Sequence, residues 1–299
     1  MAERVFHIVD VFAEERYCGN QLAVFLDGHL YSDAEMRELA QEMNFSETTF
    51  IFPHDSVDSR WRVRIFTPAV ELPFAGHPTL GTAYIIAREL MRTHIAEVTL
   101  DLNAGPIPVT IRYGAGGEVE RLTMRQLQPT FGATLDAAVL AAVLGIPESE
   151  IDTRYPIQEV STGVPFLMVP IHRLATMQHI RVDPARLETA LAGMTASGVL
   201  VFCPETYDPQ HRLNVRVFVP EFSITEDPAT GSANGCLVAY LLQQGYLGAG
   251  PVDLQVEQGF EIGRNSILYL GGEVTEGHFD IRVGGQVQHI AQGTLRDVE

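Results

Sequence analysis

The sequence predicts an α/β protein, α+β in arrangement, built as two pseudo-symmetric lobes, and three observations carry that expectation. Strand-like and helix-like runs alternate along the chain. A strand, a Pro/Gly loop and an apolar helix recur at an offset of 152 residues. A length of 299 residues accommodates two medium-sized domains, each with a core of its own.

Period-two alternation marks strands over 5–12, 22–26, 60–66, 98–102 and 107–113. Helical spacing of Met36, Leu39, Ala40 and Met43 after a Ser32 cap predicts a surface helix that ends before Asn44. A second, largely apolar helix is expected over 78–91. Gly114, Gly116 and Gly117 form a turn between two strands, and a further helix is expected over 134–144. The domain boundary falls near residue 125, giving an N-terminal lobe over 1–125 and a C-terminal lobe over 126–282. In the repeat, Val63, Arg64, Phe66, Pro68, Ala87 and Leu90 stand opposite Val215, Arg216, Phe218, Pro220, Ala239 and Leu242. Leu72 then matches Ile224, and Ala75 matches Asp227. A cleft between two such lobes is the expected ligand site.

Composition removes several function classes. A formal charge of −18 repels phosphate backbones, so neither nucleic acid nor an anionic membrane surface is an expected partner. No apolar run reaches the roughly 18 residues of a membrane helix, and the N-terminus lacks the features of a signal peptide, so a cytoplasmic location is expected. Cys18, Cys203 and Cys236 fit neither a disulfide framework nor a zinc site. The ten histidines show no His-x-x-x-His or His-x-His spacing, so no metal is expected. If the ligand of so acidic a protein is an anion, its attraction must be local, and helix N-termini supply that.

Three segments carry candidate chemistry. In Glu71-Leu72-Pro73-Phe74-Ala75-Gly76-His77-Pro78-Thr79-Leu80, Pro78 suits the first helical position. The free N–H groups of Thr79 and Leu80, with the His77 imidazole, would then face a carboxylate; on spacing alone His77 serves equally well as a helix cap. In Glu226-Asp227-Pro228-Ala229-Thr230-Gly231-Ser232, the small and hydroxyl residues suit an anion, although a capped turn with a solvated Asp227 explains the same pattern. No phosphate loop and no dinucleotide fingerprint is present. In Asn44-Phe45-Ser46-Glu47-Thr48-Thr49-Phe50, Glu47 is either a surface residue of an alternating strand or a carboxylate partly buried in a cleft. In the second case desolvation favours its protonated form and suits it to general acid/base work.

Taken together, these segments resemble the PhzF-like family of phenazine biosynthesis, relatives of which include diaminopimelate epimerase and proline racemase. The resemblance runs from Val11-Phe12 and Gly19-Asn20 through the three segments and Thr162-Gly163-Val164-Pro165 to Glu257-Gln258-Gly259, Gly263-Arg264 and Val283-Gly284-Gly285. It implies a diaminopimelate epimerase-like fold, each lobe a curved, barrel-like sheet around a central helix, with the final strand (283–299) returning to the first lobe. It implies Glu47 as the catalytic acid/base, assisted by Asp227 and His77. Asn20, Ser46, Gly76, Thr79, Thr230, Gly231 and Ser232 are the implied substrate-binding positions. The epimerase relatives carry cysteines where this chain has Ala75 and Asp227, so a paired-thiol mechanism is not expected; Cys236 reads as a core residue.

The expected function is a cofactor-independent isomerase, of the trans-2,3-dihydro-3-hydroxyanthranilate isomerase type or a related epimerase, that moves a proton on a small carboxylate metabolite. Two alternatives stand beside it: a two-base epimerase or racemase using Glu47 and Asp227, and a metabolite-binding protein without turnover. A homodimer is the default assembly.

Overall fold

The alternating N-terminal run folds as β1 (Arg4–Val11), which pairs antiparallel with β2 (Asn20–Phe25) across a loop closed by Gly19. That glycine sits at φ +69°, and a Cβ on it would lie 2.3 Å from the Val11 carbonyl oxygen, so a side chain there forces the backbone to shift. The structure is a computed structural model that describes residues 4–53, 60–91, 93–219 and 224–296. It divides into two compact units, 1–125 with 284–299, and 126–283.

In the first unit, α1 (Asp33–Met43) begins as expected at Ser32. The Ser32 hydroxyl accepts from the Glu35 N–H, and the Glu35 carboxylate accepts from the Ser32 N–H at 2.9 Å, a reciprocal capping box. The helix ends at Asn44, in the left-handed conformation at φ 51°. There follow β3 (Glu47–Ile51), β4 (Arg60–Phe66), β5 (Glu71–Leu72), α2 (Gly76–Ile85), a π-helical turn (Ile86–Leu90), β6 (Glu97–Leu102), β7 (Gly105–Tyr113) and β8 (Val119–Arg125). The C-terminal strand, Val287–Leu295, returns to pair with β1.

Across this sheet the order is C-terminal strand, β1, β2, β3, β4, β6, β7, β8, parallel at β2/β3 and at β4/β6. The sheet curls until the C-terminal strand meets β8, and α2 lies inside the curl with all ten residues buried. A helix buried on every side, with no charged residue and its one imidazole neutral, belongs inside a core. Gly81 lets it approach, because a Cβ there would lie 2.6 Å from Leu22 and 2.8 Å from Val11 side-chain atoms. The helix expected over 78–91 therefore starts two residues earlier and becomes π-helical at Ile86.

The second unit runs β9 (Thr130–Leu135), α3 (Ala137–Leu144), β10 (Ile157–Ser161), β11 (Pro165–Pro170), α4 (Leu174–His179), α5 (Pro184–Leu191), β12 (Gly198–Cys203), β13 (Leu213–Val219), β14 (Ile224–Asp227), α6 (Gly231–Gln244), β15 (Val252–Gln258), β16 (Ser266–Thr275) and β17 (His278–Gly285). The helix expected over 134–144 begins only at Ala137. Thr134 and Leu135 stay in β9, paired with Gln158 and Ile157, and the Asp136 carboxylate accepts from the Ala138 N–H to set the start.

The two units repeat one topology. Antiparallel β1/β2, parallel β2/β3, antiparallel β3/β4 and parallel β4/β6 recur as β10/β11, β11/β12, β12/β13 and β13/β15. A bidentate ion pair is kept as well: Arg64 grips Glu71 at 2.8 and 2.7 Å, and Arg216 grips Glu226 at 2.8 and 2.6 Å. This register corrects the constant offset. It is 152 residues in β4 and β13 but 155 from Glu71 and Glu226 onward, because the second loop is longer. Ile65 pairs with Leu72 where Val217 pairs with Asp227, so Leu72 and not Ala75 stands opposite Asp227, and Ala75 stands opposite Thr230. Pro220 lies outside the described residues. Among the described residues no helix is long and apolar enough to cross a membrane.

Candidate active site

Glu47 opens β3 directly after the Phe45-Ser46 bend that follows the Asn44 cap. Alternation along a strand puts Glu47 and Thr49 on one face, and the Thr49 hydroxyl hydrogen-bonds that of Thr82 in α2 at 2.8 Å. That buried bond turns the Glu47 face of the strand toward α2. The Glu47 Oε2 then lies 3.4 Å from Nε2 of His77, with the two side chains 16% and 6% exposed.

Burial pushes the His77 pKa down to about 3, overcoming the opposite influence of a hydrogen bond to the Gln21 main chain. The imidazole is therefore neutral at physiological pH. Its position in the first turn of α2, at the positive end of the helix dipole, disfavours the imidazolium further. Gln21 precedes Leu22, which pairs with Glu47 across parallel β2/β3, so the start of β2 and the start of β3 converge on the same helix end. Asn20, the first residue of β2, is buried there, and Ser46 is half-buried.

The helix start differs from the expectation in three ways. The cap is Ala75, extended at φ −151° and without a capping side chain, so His77 is the second helical residue and not the cap. Pro78 is the third helical residue, still inside the turn where a missing N–H breaks no helical bond. The Thr79 N–H and hydroxyl both go to the Ala75 carbonyl, at 3.3 and 2.7 Å. The donors that this end leaves without an intrahelical acceptor are those of Gly76 and His77 rather than Thr79 and Leu80.

The second unit carries its own polar helix start. Asp227, the last residue of β14, is 7% exposed and accepts from the Thr230 hydroxyl. Gln258, at the end of β15, binds this turn from three sides. Its amide nitrogen donates to the Asp227 carbonyl at 2.9 Å and to the Thr230 hydroxyl at 3.0 Å, while its amide oxygen accepts from the Thr230 N–H at 3.1 Å. The Asn234 amide nitrogen donates to that same oxygen at 2.9 Å. Gly231 and half-buried Ser232 are the first two residues of α6, whose cap, Thr230, has no capping side-chain bond. Spacing and residue type alone assign no role to Gln258 or Asn234. Gln258 stands inside the Glu257-Gln258-Gly259 motif, and that was the available signal.

Cys236 is buried inside α6 and donates to the Val164 carbonyl at 3.4 Å, and burial pushes its thiol up to about 11.

The model of the phenazine biosynthesis-like protein family matches residues 9–293. An uncharacterized isomerase of Mesorhizobium japonicum is 33% identical over 99% of both chains. The trans-2,3-dihydro-3-hydroxyanthranilate isomerase of Pseudomonas aeruginosa is 34% identical over 89% of both. The crystal structure of a Bacillus anthracis phenazine biosynthesis protein of the PhzF family superposes with a TM-score of 0.90, at 26% identity, covering 99% of this chain and 100% of that one.

Proposed function

Because the chain belongs to the phenazine biosynthesis-like protein family, whose named relatives are isomerases, we propose that it is a cofactor-independent isomerase in which Glu47 moves a proton between two carbons of a small carboxylate. The observation that carries this reading is the half-buried Glu47 carboxylate set 3.4 Å from a neutral imidazole at a helix start with no capping side chain. Glu47 takes a proton from a carbon beside a conjugated system, the double bond shifts as the electron pair delocalises, and Glu47 returns the proton at the far carbon. The N–H groups of Gly76 and His77 lie where negative charge on the substrate is stabilised by hydrogen bonds and by the helix dipole. His77 stays neutral, so it orients the carboxylate and does not neutralise it. Asp227 has one oxygen committed to the Thr230 hydroxyl, which suits it to holding its own helix start.

Proton NMR in heavy water tests this, with a panel of small carboxylates headed by a dihydro-hydroxyanthranilate, the class named for the Pseudomonas aeruginosa relative, and including diaminopimelate, proline and hydroxyproline. The expected result is carbon-proton exchange with loss of the starting double-bond position, slowed at least about 100-fold in Glu47→Gln. Exchange surviving in Glu47→Gln removes Glu47 as the base. Inversion of a stereocentre without migration of a double bond favours the epimerase instead.

A further inference from the structure

At the opposite end of α2, His7 on β1, His289 on the C-terminal strand and Glu89 in the π-helical turn bring their ligating atoms within 4.8 Å of one another. We propose that these three side chains bind one divalent transition-metal cation of the zinc or cobalt class, as a site separate from the Glu47 chemistry. Two imidazoles and one carboxylate form a donor set that such ions take, with the fourth position left to water.

The geometry is built rather than incidental. His7 lies on the face of β1 shared with Val9 and Val11, whose side chains pack where α2 carries Gly81, so its imidazole points into the curl of the sheet. Register alone would not bring His289 to it. A β-bulge between Ile8 and Val9 leaves Ile290 unpaired on the C-terminal strand and places His289 opposite Val9, on the same face as His7. The His7 Nδ1 and His289 Nε2 atoms are then 3.0 Å apart. Two nitrogens about 2.0–2.1 Å from a tetrahedral ion stand only a few tenths of an ångström further apart than this. In the metal-free protein one ring donates to the other, and binding requires only that the donor move its proton to its second nitrogen.

The helix end contributes in two ways. The π-helical turn carries Glu89 at the C-terminus of the helical segment, where unpaired carbonyl groups favour a cation. One Glu89 oxygen accepts from Arg88 at 2.8 Å, which holds the carboxylate in place at the helix end. Glu89 lies thirteen helical steps beyond Gly76, roughly 20 Å along the axis, so an ion here would staple β1, the C-terminal strand and the helix end without reaching the proton-transfer groups.

The test is isothermal titration of chelator-stripped, tag-free full-length protein with zinc chloride and with cobalt chloride. The wild type is expected to take up one equivalent, to show the visible absorption of four-coordinate cobalt, and to melt at higher temperature with the ion than without. His289→Asn and Glu89→Gln, at half-buried and exposed positions that do not endanger folding, are each expected to weaken binding about tenfold or more, equivalent to about 1.4 kcal/mol. Uptake of one equivalent with unchanged affinity in both variants would place the ion elsewhere. Failure of the wild type to bind either metal would overturn the proposal outright.

Discussion

Lowering the pH should destabilise the first unit through His77 in particular. Its imidazole has an ordinary value of 6.5 in the unfolded chain and about 3 in the fold, because burial opposes the charge. Above pH 6.5 both states hold the ring neutral and the burial has no pH-dependent cost. Below it the unfolded chain binds a proton that the folded chain does not, so stability falls as pH falls, by about 1.36 kcal/mol per unit, and levels off below about pH 3. Between about pH 8 and 4.5 this single residue therefore removes about 2.7 kcal/mol, a large part of an ordinary protein's margin. His77→Gln keeps a polar side chain of similar reach and has nothing to titrate. Urea unfolding of wild type and variant at a series of pH values, followed by the fluorescence of Trp61, isolates the effect, since that residue is the only tryptophan and lies on β4 of the same unit. The variant is expected to lose about 2.7 kcal/mol less than wild type over the interval. Parallel curves for the two proteins would mean that His77 titrates normally, and the neutral-imidazole basis of the proposed site would fall with that result.

Three further outcomes follow from groups elsewhere in the fold. Glu257 is fully buried and accepts from the Tyr207 and Asp208 N–H groups at 2.8 Å, from His211 Nδ1 at 2.9 Å and from the Asn214 amide at 3.3 Å, so Glu257→Ala should cost about 3–5 kcal/mol by urea unfolding. A cost under about 1 kcal/mol would show that water replaces the carboxylate freely. Only Cys18 should react quickly with a thiol reagent in the native protein, because burial pushes Cys203 up to about 12 and Cys236 up to about 11; three fast thiols would contradict this. Gly259→Ala should destabilise by about 1–3 kcal/mol, since φ is +77° and the new methyl would lie 2.5 Å from the Arg264 oxygen and 2.6 Å from that of Pro228. An unchanged melting temperature would refute it.

What the sequence discloses about this fold tracks the range of the forces involved. The Ser32–Asn44 helix is legible because both its caps are local, and the capping box lies within four residues. The start of α2 misleads for the same reason in reverse. Pro78 is a strong local signal for a first helical residue, but the helix begins at Gly76, behind an alanine that carries no capping group, because burial on every side stabilises that segment. The strand β12 is buried at all its positions and apolar throughout, so it shows none of the alternation by which β1 is recognised. At the candidate site, Glu47 and His77 stand out as polar residues interrupting apolar runs, whereas Gln258 does not, since its partners Asp227 and Thr230 lie in a turn about 30 residues away. The pairing of His7 with His289 spans 282 residues and depends on a bulge, and no spacing rule reaches that far.

The repeated topology separates residues that serve the fold from those free to serve chemistry. The bidentate pair Arg64–Glu71 and its counterpart Arg216–Glu226 are kept in both units, where each ties a central strand to the short strand before the buried helix. The neighbouring positions have diverged. Thr48 pairs with Phe66 as Val199 pairs with Phe218, so the position of Glu47 is occupied in the second unit by Gly198. A Cβ on Gly198 would lie 2.4 Å from the Phe218 carbonyl oxygen, and no carboxylate can be placed there without moving β13. By the same register His77 is answered by Ser232, and Asp227 by Leu72, an aliphatic side chain that transfers no proton. A mechanism with one acid/base group from each copy of the same position is therefore closed to this chain. The divergence leaves one unit with a carboxylate against a neutral imidazole and the other with a carboxylate bound to its own helix turn. The arrangement agrees with the single proton carrier proposed above.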